Sequence, residues 1–192
     1  MKKRLTAVIF GVTGQDGSYL AKYLLKKNYK IIGITRKVKK SYYRFKLLNI
    51  NKKIKLIKGN AVNFNFVKKL IKNNKHIKDI YYLSGKSSVT KSFINPIESF
   101  KSNALGIFNI LENVKNVNKN IRVFNAASGQ FYGNNKKNIY NEKSFISPES
   151  PYSVSKATAF WLTKIFRECY GIKCCSGILF NHESPLRSNE FV

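Results

Sequence analysis

The sequence predicts an α/β protein built on a doubly wound parallel sheet. Short apolar runs alternate with amphipathic stretches along the chain, those runs are continuously apolar, and the first connection is rich in glycine. Strands buried on both faces read as unbroken apolar runs, because helices cover each side of a parallel sheet. The βαβα order of the runs supplies those helices.

Taken in order, "TAVIF" reads as the first strand and passes through "GVTGQDG" into the helical "SYLAKYLLKK". "KIIGIT" and "KIKLIK" are the next two strands, and the amphipathic "NFVKKLIKNN" follows the second of them. "DIYYLS" is a fourth strand. The stretch "PIESFKSNALGIFNILENVKN" predicts one long helix, with Phe100, Leu105, Phe108, Ile110 and Leu111 on its apolar face. "IRVFNAA" is a fifth strand, and the Asn- and Lys-rich "GNNKKNIYNEKSFISPESP" reads as a surface loop. A helix then carries "SPYSVSK", and "KCCSGILF" closes the series as a strand.

With 192 residues and 43% apolar content, the chain can bury one well-cored domain. No apolar run approaches the ~20 residues of a membrane span, and "MKKRLTAVIFGVTGQDG" breaks at Gly11 without a processing site. No membrane partner is expected, and the expected location is cytoplasmic. Cys169, Cys174 and Cys175 are odd in number and lack metal-ligand spacing, so they are expected to be reduced core thiols, with no metal site. The formal charge of +27 suggests a nucleic-acid partner, but the lysines are spread through "LLKKNYK", "KKLIKNNK" and "NVKNVNKN". Such spacing describes solvated faces, so no specific nucleic-acid partner is expected, while anionic small ligands gain from the field.

Gly11, Gly14 and Gly17 form G-x-x-G-x-x-G right after the first strand and at the opening of a helix, with Gln15 and Asp16 between the last two. This context fits a turn that lets backbone N–H groups approach a pyrophosphate at a helix N-terminus. At the end of the second strand, where an acid would hold the ribose 2′-hydroxyl of NAD, stand Arg36 and Lys37. A guanidinium pairs with a 2′-phosphate through charge-assisted bonds, so the expected cofactor is NADP. Asn60, after the third strand, fits either a hydrogen bond to an adenine edge or a plain turn.

Tyr152 and Lys156 lie one helical turn apart and share a face, and Ser128 ends the preceding strand. In such a triad a nearby ammonium is expected to lower the phenol pKa and make Tyr152 a base, while Ser128 donates to the oxygen being oxidised. His182 sits in a strand-to-loop turn and is expected to be structural, and His76 in a polar loop has no evident partner.

"GVTGQDGSYLAKYLL", "SFINPIESFKSNALGIFNILE", "SPYSVSKATAFWLTKIFRECYGI" and "GILFNHESPLR" resemble the extended short-chain dehydrogenase/reductase family of nucleotide-sugar enzymes and, within it, the GDP-mannose 4,6-dehydratases. The resemblance implies a Rossmann-like NADP-binding domain over residues 1–180, followed at 181–192 by the start of a truncated substrate-binding region. It implies cofactor contacts from Gly11, Gly14, Gly17 and Arg36, beside which Gln15, Asp16 and Asn60 are also expected at the cofactor, and catalysis by Ser128, Tyr152 and Lys156, with Gln130 at the same catalytic site. Ser87 in "GKSSV" and Asn181 in "FNHESP" would face a nucleotide-diphosphate sugar, although each also fits a plain strand-end or turn hydrogen bond. Members tend to form homo-oligomers, and the same is expected here.

Three positions depart from the family: Asn60 replaces an acid, Ser88 replaces a His, and Gln130 stands at the position of the dehydratases' Glu. The family reaction oxidises the sugar at C4, eliminates water across C5 and C6, and returns the hydride to C6. The Glu serves the elimination, and an amide cannot exchange protons near neutral pH. Three readings stay open: a dehydratase whose base comes from another group, a nucleotide-sugar 4-reductase or epimerase, and a cofactor-binding pseudoenzyme.

Overall fold

A computed structural model describes residues 4–134 and 139–187 of the chain. Among them, β1 (Thr6–Phe10), β2 (Lys30–Thr35), β3 (Ile54–Lys58), β4 (Ile77–Tyr82), β5 (Arg122–Ser128) and β6 (Cys174–Leu179) form one parallel sheet in the order β3-β2-β1-β4-β5-β6. The connections run through α1 (Gln15–Lys26), α2 (Tyr43–Leu47), α3 (Phe64–Asn73), α4 (Val89–Ile94), α5 (Pro96–Phe100), α6 (Gly106–Val117) and α7 (Pro151–Tyr170).

The apolar runs divide between two cores because successive residues of a strand point to opposite faces. From β1, Val8 and Phe10 join Ile80, Ile110, Leu111 and Val114 on the face covered by α3, α6 and α7. Ala7 and Ile9 join Ala21, Leu24 and Phe45 under α1 and α2 on the other face. Each fully buried Ile, Leu or Phe contributes about 1.5–3 kcal/mol of transfer free energy. The continuous runs are therefore alternating patterns on two sides at once.

The expected single long helix is divided. α5 begins at Pro96, with the Asn95 side chain capping it, and a π-helical turn over Lys101–Leu105 separates it from α6. The wider turn shifts the helical phase, so residues on either side do not share one apolar stripe. Ile110 and Leu111 are fully buried, Leu105 and Phe108 half-buried, and Phe100 is exposed. α6 is anchored by buried amides: Asn109 Nδ2 donates to the Ala61 and Val62 carbonyls at 2.9 Å, and Asn113 Nδ2 to that of Phe64 at 3.3 Å. These bonds fix the loop after β3, which carries Asn60.

The cysteine expectation is also corrected. Only Cys174 is buried, donating its thiol to the Thr163 carbonyl at 3.2 Å, whereas Cys169 and Cys175 are exposed. Among the described residues β6 is an edge strand with one neighbour, which leaves Cys175 without full cover, and Cys169 lies in the last turn of α7. Part of the predicted surface loop, residues 135–138, lies outside the described residues. The rest of it packs inward through Tyr140 and Ile146 onto Phe131, Tyr132 and Ala157. No described helix is long and apolar enough to cross a membrane.

The start of α7 is held by a reciprocal cap. Ser150 Oγ accepts from Ser153 N at 3.1 Å, and Ser153 Oγ accepts from Ser150 N at 2.8 Å, just before Pro151 in the first turn. Ser150→Ala is expected to cost about 1 kcal/mol, read as a lower urea midpoint with an unchanged slope. An unchanged midpoint would show that α7 is held by packing alone.

Candidate active site

The winding of the sheet reverses between β1 and β4, and two joined clefts open above the carboxyl ends of the strands there. Their volumes are ≈ 690 Å³ and ≈ 420 Å³, and Gly11, Gly14 and the Leu83–Lys86 segment line both. Gly11 takes φ +81°, a left-handed conformation that turns the chain from β1 into α1. A Cβ on Gly17 would lie 2.3 Å from the Gly11 carbonyl oxygen, so only glycine lets the helix approach this closely. The N-terminus of α1 consequently faces the clefts and favours negative charge there. Gln15 and Asp16 line the wider cleft, and Gln15 Oε1 is buried without a partner. This cradle, with an unspent polar atom beside it, fits a dinucleotide.

Asp16 is paired across the fold. Its Oδ1 lies 2.8 Å from His182 Nε2, while His182 Nδ1 lies 2.7 Å from the Phe180 carbonyl. Both partners are acceptors, so the two contacts favour the doubly protonated ring. The Phe180 carbonyl first, and Asp16 after it, hold the imidazole pKa above its usual value. His182 thus clasps the segment after β6 to the glycine turn, the structural placement expected of it. The segment is seated further by Leu186, buried beside Phe45 and Leu48, whose carbonyl accepts from Arg44 Nε at 2.7 Å.

Arg36 and Asn60 line the narrower cleft, together with Glu98 and Lys101. Lys37, expected to act beside Arg36, is not among its lining residues. The backbone curls there: the Lys37 carbonyl accepts from Thr35 Oγ1 at 3.1 Å and from the Tyr42 hydroxyl. Asn60 uses its Oδ1 in the turn, accepting from Val62 N at 3.1 Å. Glu98 was not legible as a site residue, since it comes from a helix distant in sequence. Its carboxylate lies 4.0 Å from Arg36 Nη1 and 3.3 Å from Lys86 Nζ.

Ser128, Gln130, Tyr152 and Lys156 line the wider cleft, as do Ser87 and Asn181. Ser128 ends β5 and hydrogen-bonds Tyr152 through its hydroxyl, while its Oγ accepts from Gln130 N at 3.3 Å. Tyr152 sits in the first turn of α7, where its backbone N–H donates to Ser92 Oγ at 3.1 Å. Lys156 is buried, and its Nζ donates to the Ala126 carbonyl at 2.8 Å, 5.8 Å from the centre of the Tyr152 ring. Burial lowers the Lys156 pKa to about 8. Burial also raises that of Tyr152, with the Ser128 hydrogen bond opposing it. The expectation that Lys156 lowers the phenol pKa is therefore corrected. Desolvation outweighs the ammonium, whose proton is directed at a carbonyl. Gln130 is exposed on the short helical turn Gly129–Tyr132. Ser88 caps α4, accepting from Lys91 N at 3.2 Å.

Two further residues carry no sequence signal. Ser92 satisfies a backbone donor at the start of α7, and Asn103, from the π-helical turn, lines the wider cleft with its buried Oδ1 unpartnered. Such turns recur at functional sites, but their spacing mimics an ordinary helix. Among the described residues no cluster of three His, Cys, Asp or Glu side chains could hold a metal.

A family model described as GDP-mannose 4,6 dehydratase matches residues 8–192. The GDP-mannose 4,6 dehydratase of Drosophila melanogaster is 35% identical over 195 residues, covering 97% of this chain and 49% of that protein. The GDP-mannose 4,6-dehydratase of Yersinia enterocolitica is 36% identical over 201 residues, covering 100% and 53%. The chain thus spans about half the length of these relatives. Among solved structures, a dTDP-glucose 4,6-dehydratase from Streptomyces venezuelae with NAD and TYD bound superposes with a TM-score of 0.84 at 18% identity, covering 97% of this chain and 59% of that one. A UDP-N-acetylglucosamine 4-epimerase from Methanobrevibacter ruminantium does so with 0.84 at 24% identity, covering 97% and 58%. These superpositions establish the doubly wound fold.

The His182 clasp has a predictable pH dependence. Its folded pKa is raised, so its stabilisation is complete below the unfolded value of about 6.5 and is lost as pH rises through the folded value. The stability gap between the natural protein and His182→Gln, measured by urea unfolding, should be larger at about pH 6 and close on the alkaline side. A gap that widens with pH would contradict the clasp.

Proposed function

The chain belongs to the GDP-mannose 4,6-dehydratase family, and on that premise we propose that it acts in the NADP-dependent 4,6-dehydration of a nucleotide-diphosphate sugar, GDP-mannose, to the 4-keto-6-deoxy sugar. The observation that carries this reading is the convergence of Ser128, Tyr152 and Lys156 in the cleft beside the glycine turn.

A bound nicotinamide dinucleotide supplies hydride transfer. Gly11, Gly14 and Gly17 let the backbone approach its pyrophosphate, and Arg36 supports the 2′-phosphate that distinguishes NADP. Gln15 and Asp16 border the same turn, and Asn60 offers its amide nitrogen at the adenine end. Tyr152 takes the proton from sugar O4 in its phenolate form as C4 is oxidised, a form that burial makes scarce and that the Ser128 hydroxyl favours. Ser128 donates to that oxygen and steadies the charge developing on it. Lys156, whose pKa burial brings down to about 8, would hydrogen-bond the nicotinamide ribose beside Tyr152. Ser87 and Asn181 border the space left for the sugar nucleotide. A cytoplasmic location accords with three free thiols, and self-association rests on the family resemblance.

Elimination is where the chemistry is short of a group. Removing the C5 proton and protonating the departing C6 hydroxyl need a proton carrier, and the Gln130 amide is not one. Of the other titratable groups lining this cleft, Asp16 and His182 are bound to each other and Lys86 to Glu98. Gln130 therefore favours a second reading, redox chemistry at C4 alone, as in a 4-reductase or epimerase.

The readings separate in heavy water with GDP-mannose and NADP. On the second reading the natural protein should reduce NADP while exchanging hydrogen at C5 about 10²–10⁴-fold more slowly than Gln130→Glu, whereas on the dehydratase reading both forms should exchange at C5 and give the 4-keto-6-deoxy product. Equal C5 exchange would show that another group is the base and the protein an ordinary dehydratase. Cofactor binding with no C4 chemistry in either form would identify a binding protein without catalysis.

A further inference from the structure

Glu98 is the only carboxylate among the described residues lining the narrower cleft, and it faces the cation assigned to the ribose 2′-phosphate. Its two oxygens are divided, Oε1 at 4.0 Å from Arg36 Nη1 and Oε2 at 3.3 Å from Lys86 Nζ. The backbone beneath it is fixed, since Glu98 N donates to Asn95 Oδ1 at 3.2 Å at the start of α5. One acid thus offsets two of the cations that line this end of the cleft. The Arg36 side chain is 73% exposed, so its pairing with Glu98 is solvent-screened and exchangeable.

We propose that Glu98 is a specificity-determining residue whose carboxylate competes with the ribose 2′-phosphate for Arg36, and so limits how strongly the site prefers the phosphorylated dinucleotide. The inference rests on the NADP reading of Arg36. A phosphate monoester carries about −1.5 to −2 charge at neutral pH and displaces a single carboxylate from a guanidinium. Displacement still breaks an ion pair and brings an anion close to the carboxylate it replaced. An unphosphorylated ribose bears no charge there and meets neither obstacle. Glu98 therefore weakens NADPH binding selectively, the role that an acid at the end of β2 has in NAD-selective sites, but delivered from the opposite wall of the cleft.

Fluorescence titration with NADPH and with NADH tests this in the natural protein, Glu98→Gln, Arg36→Ala and the double variant. The natural protein should bind NADPH more tightly than NADH. Glu98→Gln, which keeps the side-chain shape, should tighten NADPH about two- to fivefold at low salt and leave NADH unchanged. Glu98→Ala should move in the same direction, and the gain should shrink as salt is raised. In the Arg36→Ala background the gain should shrink, because the carboxylate then has no shared partner to block and only its repulsion of the phosphate remains. Equal affinity of the natural protein for the two dinucleotides would overturn the NADP reading itself. A natural preference for NADPH that Glu98→Gln leaves unchanged or reduces would overturn the role of Glu98 alone. Weaker NADH binding by Glu98→Gln would do the same, by making Glu98 a ligand of the ribose hydroxyls.

Discussion

β1 is buried on both faces and paired on both edges, by β2 and by β4, and the remaining architecture is arranged around that constraint. A strand so enclosed can leave the sheet only at its ends. The chain departs from β1 through Gly11 to cover one face, and after β4 the later helices cover the other. Crossovers that diverge in this way leave a crevice above the strand ends, bordered by the unpaired N–H groups of α1. The site residues come from turns and helix starts separated by more than a hundred positions, and they meet because each follows a strand that ends at that edge.

The two ends of the crevice are governed by different physics. At the chemical end burial dominates, bringing Lys156 toward neutrality and holding the Tyr152 proton more tightly. There the Ser128 hydrogen bond is the feature that opposes desolvation of the phenolate. At the other end the side chains are wet, and paired charges decide the balance: Arg36 and Lys86 share Glu98. Solvent screening makes those pairs individually weak.

The superpositions separate scaffold from chemistry. Solved structures below 25% identity keep the same sheet, so the architecture tolerates extensive replacement wherever the burial pattern survives. The exposed position of Gln130 lies outside that requirement, so a change of side chain there leaves the packing untouched.

Features that depend on local pattern were legible in the sequence: six apolar runs, the glycine turn, the helix bearing Tyr152 and Lys156, and Ser128 at a strand end. Burial on both faces, left-handed backbone and one-turn spacing each leave a periodic or residue-specific trace. The break in the helical stretch before α6 left none, because a π-helical turn has the composition of the helix it interrupts. Nor did the contacts between distant segments: Ser92 beneath Tyr152, Asp16 against His182, and Glu98 beside Arg36, with Lys37 outside the lining of the cleft. The sequence alone determined which runs form the buried strands, where the chain turns at Gly11 and which chemical groups are present. Only the tertiary structure decided which of those groups share a dielectric environment and a partner, because pKa values and charge balance depend on distances across the fold rather than on spacing along the chain.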